Sequence, residues 1–189
     1  MKHVNEEGRV AASDAPFGKT SGEITSEEFK HADKLENNVP SNVSTPLLLD
    51  LIPLHGPRDV DAKGRPVGKA PLRSGWRRDA PLSDAEAKAH AAKKMNLGAR
   101  LRDDQLVVDA DPRNYPAGDD PLARLRRDVG LPDGPTVETG GGGLHIYLRK
   151  PEGLRVRDAL DEYPGVEFKT LGRQVLVPPS VHPNGRPYA

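Results

Sequence analysis

Short apolar runs separated by turn residues recur along the chain, and they predict several short strands. The run at 47–54 predicts a first buried strand that Pro53 ends early. The segment 106–111, LVVDAD, predicts a second strand in which three apolar residues precede alternating acids. Two hairpins follow, one formed by 135–139 and 144–149, the other by 166–168 and 174–177.

The strand at 144–149, LHIYLR, alternates strictly between aliphatic and polar or aromatic residues. Successive side chains of a strand point to opposite faces. We therefore expect the three aliphatic residues to face a core, while His145, Tyr147 and Arg149 face the other way.

Helices are predicted between the strands. Ser83 and Glu86 have the spacing of a capping box before the alanine-rich segment AEAKAHAAKKM, and Gly98 is expected to end that helix. A second helix, PLARLRRDV, is expected to begin after Asp120 and to end at Gly130.

Weaker signals predict short helices near 26–37 and 155–162. The mixture of helices with hairpins favours an α+β fold over a parallel βαβ array.

The composition limits the protein class. Gly and Pro number 19 each and hydrophobic residues make up 35%, which indicates a loop-rich fold. The absence of cysteine excludes disulfides, thiolate catalysis and cysteine zinc sites. The charged N-terminus is unlike a signal peptide, and no apolar run approaches a membrane span. We expect a cytoplasmic protein without a membrane partner, in which residues 1–45 form a flexible arm and 46–189 the functional domain.

The net charge is zero, but residues 55–79 carry a local excess of four positive charges. A basic block of this kind either contacts phosphates or is a solvated loop, and composition alone favours the loop.

Asp109 and Asp111 are the first candidate for chemistry. Positions i and i+2 of a strand point to the same face, so the two carboxylates would repel each other unless a cation lay between them. A hard divalent ion such as Mg²⁺ or Mn²⁺ takes oxygen ligands of this kind. The alternative is an ordinary Asp-Pro turn at a strand end.

The glycine run at 140–143 is the second candidate. Consecutive glycines allow backbone amides, those of Gly142 and Gly143 included, to approach a phosphate closely, and His145 then leaves the run in a fixed direction. The alternative is a flexible hairpin tip followed by a strand histidine.

Two later segments add polar groups. Glu167 alternates with apolar neighbours and so points to the polar side of its strand, where it could equally be an exposed edge acid. In PPSVHP, stiff prolines precede Ser180 and His182, which could hydrogen-bond a triphosphate or form a rigid surface turn. Together the four features suit a divalent metal facing a nucleoside triphosphate, as in phosphoryl transfer.

The segments VVDAD, GGGLHIY, GVEFK and QVLVPPSVHPNG occur in an order that resembles the bifunctional DNA primase/polymerase (prim-pol) domain of the archaeo-eukaryotic primase superfamily, especially its phage and plasmid versions. The resemblance runs from about Leu51 to Tyr188. It implies an RNA-recognition-motif-like sheet joined to a small α/β unit, and a primase/polymerase that uses dNTP or NTP substrates on a single-stranded DNA template.

The resemblance also implies roles for particular residues. Asp109, Asp111 and Glu167 would bind Mg²⁺ or Mn²⁺, and His145 would contact the incoming nucleotide. Further residues expected around the triphosphate are Lys69, Arg100, Gly142, Gly143, Lys169, Ser180 and His182. Template contacts are expected from the 55–79 loop and the helix that follows Asp120, through Arg73, Arg77, Arg78, Arg124, Arg126 and Arg127.

The chain departs from the family pattern in two places. The third acid is often aspartate, where this chain has Glu167. A serine often stands two residues before the histidine, where this chain has Gly143. The family usually joins this domain to a helicase, so the chain is expected to be a catalytic domain excised from a longer primase-helicase.

Aromatic residues make up only 4% of the chain, so extensive base stacking is not expected. Trp76 and Tyr147 are possible stacking platforms, and for Trp76 a core position is favoured. Two rival functions stay open at this point: a metal-dependent nuclease or phosphohydrolase, and a non-catalytic nucleotide- or nucleic-acid-binding relic.

Overall fold

The computed structural model describes residues 48–189. The predicted arm at 1–45 and the helix predicted near 26–37 lie outside the described residues. Within 48–189 the chain forms seven strands, two α-helices and one 3₁₀ turn. The strands are β1 (Asp50–Pro53), β2 (Leu97–Arg100), β3 (Gln105–Ala110), β4 (Thr136–Glu138), β5 (Leu144–Arg149), β6 (Val166–Lys169) and β7 (Gln174–Val177). The helices are α1 (Asp84–Ala92) and α2 (Pro121–Val129), and the 3₁₀ turn is Pro112–Asn114.

Two antiparallel sheets organise this part of the chain. One has the strand order β1–β2–β7 and the other the order β4–β5–β3–β6. All neighbouring strands are antiparallel. The α+β prediction is therefore confirmed, and β3 lies at the interior of the four-stranded sheet.

The two faces of the four-stranded sheet differ. On one face Val108 and Ile146 pack with Leu122 and Leu125 of α2 in a buried cluster. On the other face Val107 and Tyr147 share a second cluster with residues of β2 and β7. The predicted alternation along β5 is confirmed, and Asp109 points to the face opposite α2 because it follows Val108.

Both helices begin as the sequence predicts. Ser83 and Glu86 form the complete capping box of α1. The Asp120 side chain accepts a hydrogen bond from the backbone amide of Ala123, and Gly130 ends α2 in the left-handed conformation.

The predicted end of α1 is wrong. The helix ends at Ala92, Lys94 takes the left-handed conformation with φ 59°, and Gly98 lies inside β2. A Cβ atom at Gly98 would lie 2.7 Å from Gln174 Oε1 and 3.2 Å from the Leu54 side chain. Gly98 therefore permits close packing and does not stop the helix.

Other predictions need smaller corrections. Residues 155–162 form turns, bends and an isolated bridge instead of a helix. Tyr147 is only 4% exposed and belongs to the core, so it is not a stacking platform. Trp76 packs against the buried cluster of Ile52, Leu54, Leu176 and Tyr188, as favoured. No helix within residues 48–189 has the length and apolar character that a membrane crossing requires.

Candidate active site

One row of residues across the four-stranded sheet forms the centre of the site. Asp109 on β3 lies opposite His145 on β5 and opposite Glu167 on β6. Directly opposed residues of antiparallel strands project from the same face, so the three side chains share one surface. His145 Nε2 lies 3.6 Å from Asp109 Oδ1.

Asp111 lies just past the end of β3, because the strand ends at Ala110, one residue earlier than predicted. Its carboxylate caps the 3₁₀ turn and accepts from the backbone amide of Arg113. The Arg113 guanidinium also donates to both oxygens, from Nε at 2.9 Å and from Nη2 at 2.7 Å. These hydrogen bonds hold the pKa of Asp111 below its ordinary value.

Glu167 has a comparable partner. Lys169, two residues further along β6, donates from Nζ to Glu167 Oε2. The Glu167 side chain is 54% exposed, so it can change rotamer at little cost. Each outer acid of the site is thus paired with the cation two residues after it.

A cavity of about 410 Å³ opens on this surface. Its lining includes the three acids, Lys69 and His145. Acidic groups from β3, β6 and the turn after β3 therefore face one space, together with a lysine from the basic 55–79 loop.

The electrostatics of Asp109 follow from this crowding. Burial raises the pKa of its carboxyl, and the neighbouring charges of Glu167 and Asp111 raise it further, while Lys169 and Lys69 oppose the shift. A group with these surroundings is stabilised by a nearby cation.

His145 is uncharged at neutral pH. Burial lowers its pKa to about 4, a contact with the Leu176 backbone opposes this shift, and Lys69 and Lys169 add to it. A neutral imidazole can donate one hydrogen bond and accept another. Its Nδ1 is buried without a protein hydrogen-bond partner in the described part of the chain.

As the side chains stand, no group of three Asp, Glu or His residues within 48–189 is close enough to hold a metal ion. Asp111 accepts hydrogen bonds from Arg113, and Glu167 accepts one from Lys169. In these orientations the two carboxylates do not meet Asp109 at one point. The predicted metal ligands thus share a cavity but do not converge on one point.

The family model described as "Bifunctional DNA primase/polymerase, N-terminal", Prim-Pol, matches residues 45–189. The chain belongs to this Prim-Pol family. The family implies DNA primase/polymerase activity. A comparison with curated proteins finds no match to the chain.

Two backbone amides of the glycine turn that were expected to face a phosphate already donate hydrogen bonds within the turn. The Gly142 amide donates to the Thr139 carbonyl oxygen at 2.8 Å, and the Gly143 amide donates to Thr139 Oγ1 at 3.0 Å. Phosphate binding by these two amides would require them to give up bonds that form the turn.

The prediction that Ser180 binds the nucleotide needs correction. It is 2% exposed, its hydroxyl donates to the Leu97 carbonyl oxygen at 2.9 Å, and it accepts from the Leu97 amide at 2.8 Å. The hydroxyl is therefore used to join the chain after β7 to β2 and does not face the cavity.

We expect Ser180→Ala to lower the free energy of unfolding by about 1–2 kcal/mol, because the buried Leu97 amide loses its acceptor. The apparent nucleotide affinity of the folded variant should stay within about twofold of wild type. Denaturant unfolding and a nucleotide titration check the two values. A large loss of nucleotide affinity with unchanged stability would return Ser180 to the substrate site.

Arg100 also lies elsewhere. Its guanidinium donates to the carbonyl oxygens of Trp76 and Asp79 and to Asp50 Oδ2, and its side chain is only 15% exposed. It fixes the 73–79 loop against β1 and β2, so it is not available to a triphosphate in the cavity.

Lys69 lines the cavity and His182 does not, but a buried asparagine links the two segments that carry them. The Asn96 amide group donates to the carbonyl oxygens of Gly68 and Val181 and accepts from the Val181 amide. Asn96 therefore joins the loop that carries Lys69 to the turn that carries His182. Burial and the charge of Lys69 lower the pKa of His182.

The expected DNA-binding arginines separate into two sets. Arg73, Arg77 and Arg78 are exposed on the 55–79 loop, with the Arg77 guanidinium 4.6 Å from the centre of the Trp76 ring. Arg124 and Arg127 lie on α2, which packs on the sheet face opposite Asp109. Arg124 donates to the Glu162 carbonyl oxygen and pairs with Asp119 at 3.2 Å. The structure does not bring the α2 arginines to the cavity face.

Several cavity residues were missed by sequence reasoning, among them Arg113, Asp161 and Tyr188. The signal for Arg113 was its position two residues after Asp111. Tyr188 belongs to the segment NGRPYA, which has no periodicity, yet its ring lies 5.9 Å from that of His145. Burial, with Asp109 nearby, raises the pKa of Tyr188 to about 12.

Proposed function

We propose that this Prim-Pol domain is a metal-dependent nucleotidyltransferase that extends or synthesises primers on a single-stranded DNA template. The observation that carries the proposal is the row of Asp109, His145 and Glu167 across one sheet surface, next to Asp111 and a cavity of nucleotide-compatible size. The four-stranded antiparallel sheet with α2 on its other face supports an RNA-recognition-motif-like catalytic core, with the three-stranded sheet and α1 as the smaller unit.

The donor set suits Mg²⁺ or Mn²⁺. All three acids supply carboxylate oxygen, the ligand type that these ions prefer. The raised pKa of Asp109 reflects burial and like-charge crowding that a cation would relieve. Asp109, Asp111 and Glu167 would hold the ions after the partly buried Asp111 side chain and the exposed Glu167 side chain turn inward. A bound ion supplies charge neutralisation at the phosphates and a lowered pKa for a primer 3′-hydroxyl.

The remaining residues bind and orient the substrate. Lys69 reaches the cavity from the basic loop and would contact the phosphates, where a compact ammonium acts as a point charge. His145 is buried and stays neutral. It would therefore form a hydrogen bond with the nucleotide and would not act as a general acid or base. Much of the rate enhancement then comes from positioning, because phosphoryl transfer leaves little covalent chemistry to the protein.

Template binding is proposed for Arg73, Arg77 and Arg78, which are exposed on the loop that also carries Lys69. Contacts of this type neutralise phosphates, so binding should weaken steeply with salt. Because the resemblance noted in the sequence is to the phage and plasmid versions of the family in particular, we propose replication of such an element as the setting, with a helicase as partner.

The test is a primer-extension assay with end-labelled primer on a single-stranded template. We expect the primer to lengthen when nucleotides and Mg²⁺ or Mn²⁺ are both present, and to keep its length with metal alone. Shortening without nucleotides would identify a nuclease instead. Nucleotide binding without incorporation under either metal would identify a non-catalytic binding domain.

A further inference from the structure

Arg113 forms the most complete ion pair of the cavity. Two of its guanidinium nitrogens reach the two oxygens of Asp111, and its backbone amide donates to Oδ1 at 3.1 Å. Its side chain is nevertheless 58% exposed. An exposed pair of this type contributes little net stability, so its partners can be exchanged cheaply.

The guanidinium also lies directly against the glycine turn. A Cβ atom at Gly141 would be 2.9 Å from Arg113 Nη2, and both residues line the cavity. Lys69 lines the same cavity; burial lowers the pKa of Lys69, and the charge of Arg113 lowers it further. Two cations therefore border the space in which an anionic ligand would lie.

Arg113 and a divalent metal ion would compete for the carboxylate of Asp111. With both oxygens accepting from Arg113, the carboxylate cannot also give its best lone pairs to a divalent ion. The planar fork of arginine fits a phosphate as well as it fits a carboxylate. A metal ion that binds the Asp111 carboxylate would therefore free the Arg113 guanidinium to bind a phosphate of the substrate.

We infer that Arg113 is a phosphate-binding residue that exchanges partners: it holds Asp111 before the substrate enters and contacts the nucleotide phosphates once a metal ion takes Asp111. The inference rests on the proposed function and deepens it. The Lys169–Glu167 pair is a second ion pair between an acid of the site and the cation two residues after it. Metal and nucleotide binding then favour each other, because each frees the partner that the other needs.

The test uses Arg113→Gln, which removes the charge and keeps most of the length. Mn²⁺ alone, titrated by calorimetry without nucleotide, should bind about two- to fivefold more tightly, because its competitor for Asp111 is gone. A nucleoside triphosphate in the presence of saturating Mn²⁺ should bind about tenfold more weakly, because a charge-assisted contact is lost. Arg113→Lys, which keeps the charge without the fork, should recover part of the nucleotide affinity.

Arg173→Gln is the matched control. Arg173, whose side chain is about as exposed as that of Arg113, forms a two-point ion pair with Asp158, and neither residue lines the cavity. Both affinities should stay unchanged in this variant. Opposite shifts in Arg113→Gln alone support the exchange. Weaker Mn²⁺ binding, or an unchanged nucleotide affinity, in a protein whose wild type binds Mn²⁺ and extends primers overturns the exchange and leaves the proposed function intact. A wild type that neither binds Mn²⁺ nor extends primers overturns both.

Discussion

Asp109→Asn is expected to reduce primer extension by about a thousandfold at saturating nucleotide and metal. The substitution keeps the shape of the side chain but removes the charged oxygen nearest the centre of the site. Metal assistance contributes several kcal/mol to reactions of this class, and each ~1.4 kcal/mol corresponds to a tenfold change in rate. Single-turnover extension with labelled primer measures the loss.

The control for this variant is Asp104→Asn. Asp104 precedes the other end of β3 and its side chain is 54% exposed, paired with arginines outside the cavity. Its extension rate should match that of wild type. An Asp109→Asn protein that extends primers at more than about a tenth of the wild-type rate would contradict a metal-binding role for Asp109.

The same variant should be at least as stable as wild type in the absence of metal. The pKa of Asp109 in the folded state lies above its ordinary value of 3.8. Between those two values the folded state binds more protons than the unfolded state, so wild-type stability falls as the pH rises through this window. Asparagine has no such proton, so the variant loses less stability over the same window. Unfolding in EDTA at several pH values measures the difference, and a variant less stable than wild type at neutral pH would contradict it.

Gly143→Ser is expected to destabilise the domain by about 3 kcal/mol, although the resemblance described above leads one to expect serine at this position. A Cβ atom at Gly143 would lie 2.2 Å from the carbonyl oxygen of Ala110 and 3.3 Å from the Cα atom of Asp111. The obstacle is backbone of the neighbouring strand, which a rotamer change cannot move. We expect a lower denaturant midpoint and weaker metal binding, since β3 must shift together with its acids.

Gly75→Ala provides the comparison. There the nearest atom to a new Cβ is Oδ1 of Asp79, at 2.9 Å, the end of a side chain that can turn away. Its unfolding free energy should fall by less than about 1 kcal/mol. A Gly143→Ser protein as stable as wild type, with improved nucleotide affinity, would show that β3 and β5 can separate at this point.

Local patterns predicted most elements of the described chain. The capping box before α1, the Asp120 and Gly130 boundaries of α2 and the alternation along β5 each depend on a few neighbouring residues, and each is confirmed. Gly98 was misread for the same reason. A glycine after a helix resembles a stop signal, whereas its actual neighbours, Gln174 and Leu54, are distant in sequence.

In the predicted site, too, local patterns were read correctly and contacts between distant residues were not. The sequence indicated the acids and His145 by their spacing and type. It could not show that the Ser180 hydroxyl is hydrogen-bonded to the Leu97 backbone, or that Arg100 is bound to the 73–79 loop. Hydroxyl and guanidinium groups can bind either the protein backbone or a substrate, and the sequence does not tell these two roles apart. Tyr188 was missed because its segment has no periodicity, and Arg113 because a position two residues after Asp111 does not by itself show that the two side chains pair.

The amino-acid sequence alone determined which oxygen and nitrogen groups this domain can offer and on which face of each strand they stand, since strand periodicity is a local property. The register of β3 with β5 and β6, the pairing of Asp111 and Glu167 with cations, and the choice between structural and substrate-facing polar groups were decided by the tertiary structure. Those outcomes depend on contacts between residues far apart in the chain, where packing and hydrogen bonding compete for the same groups.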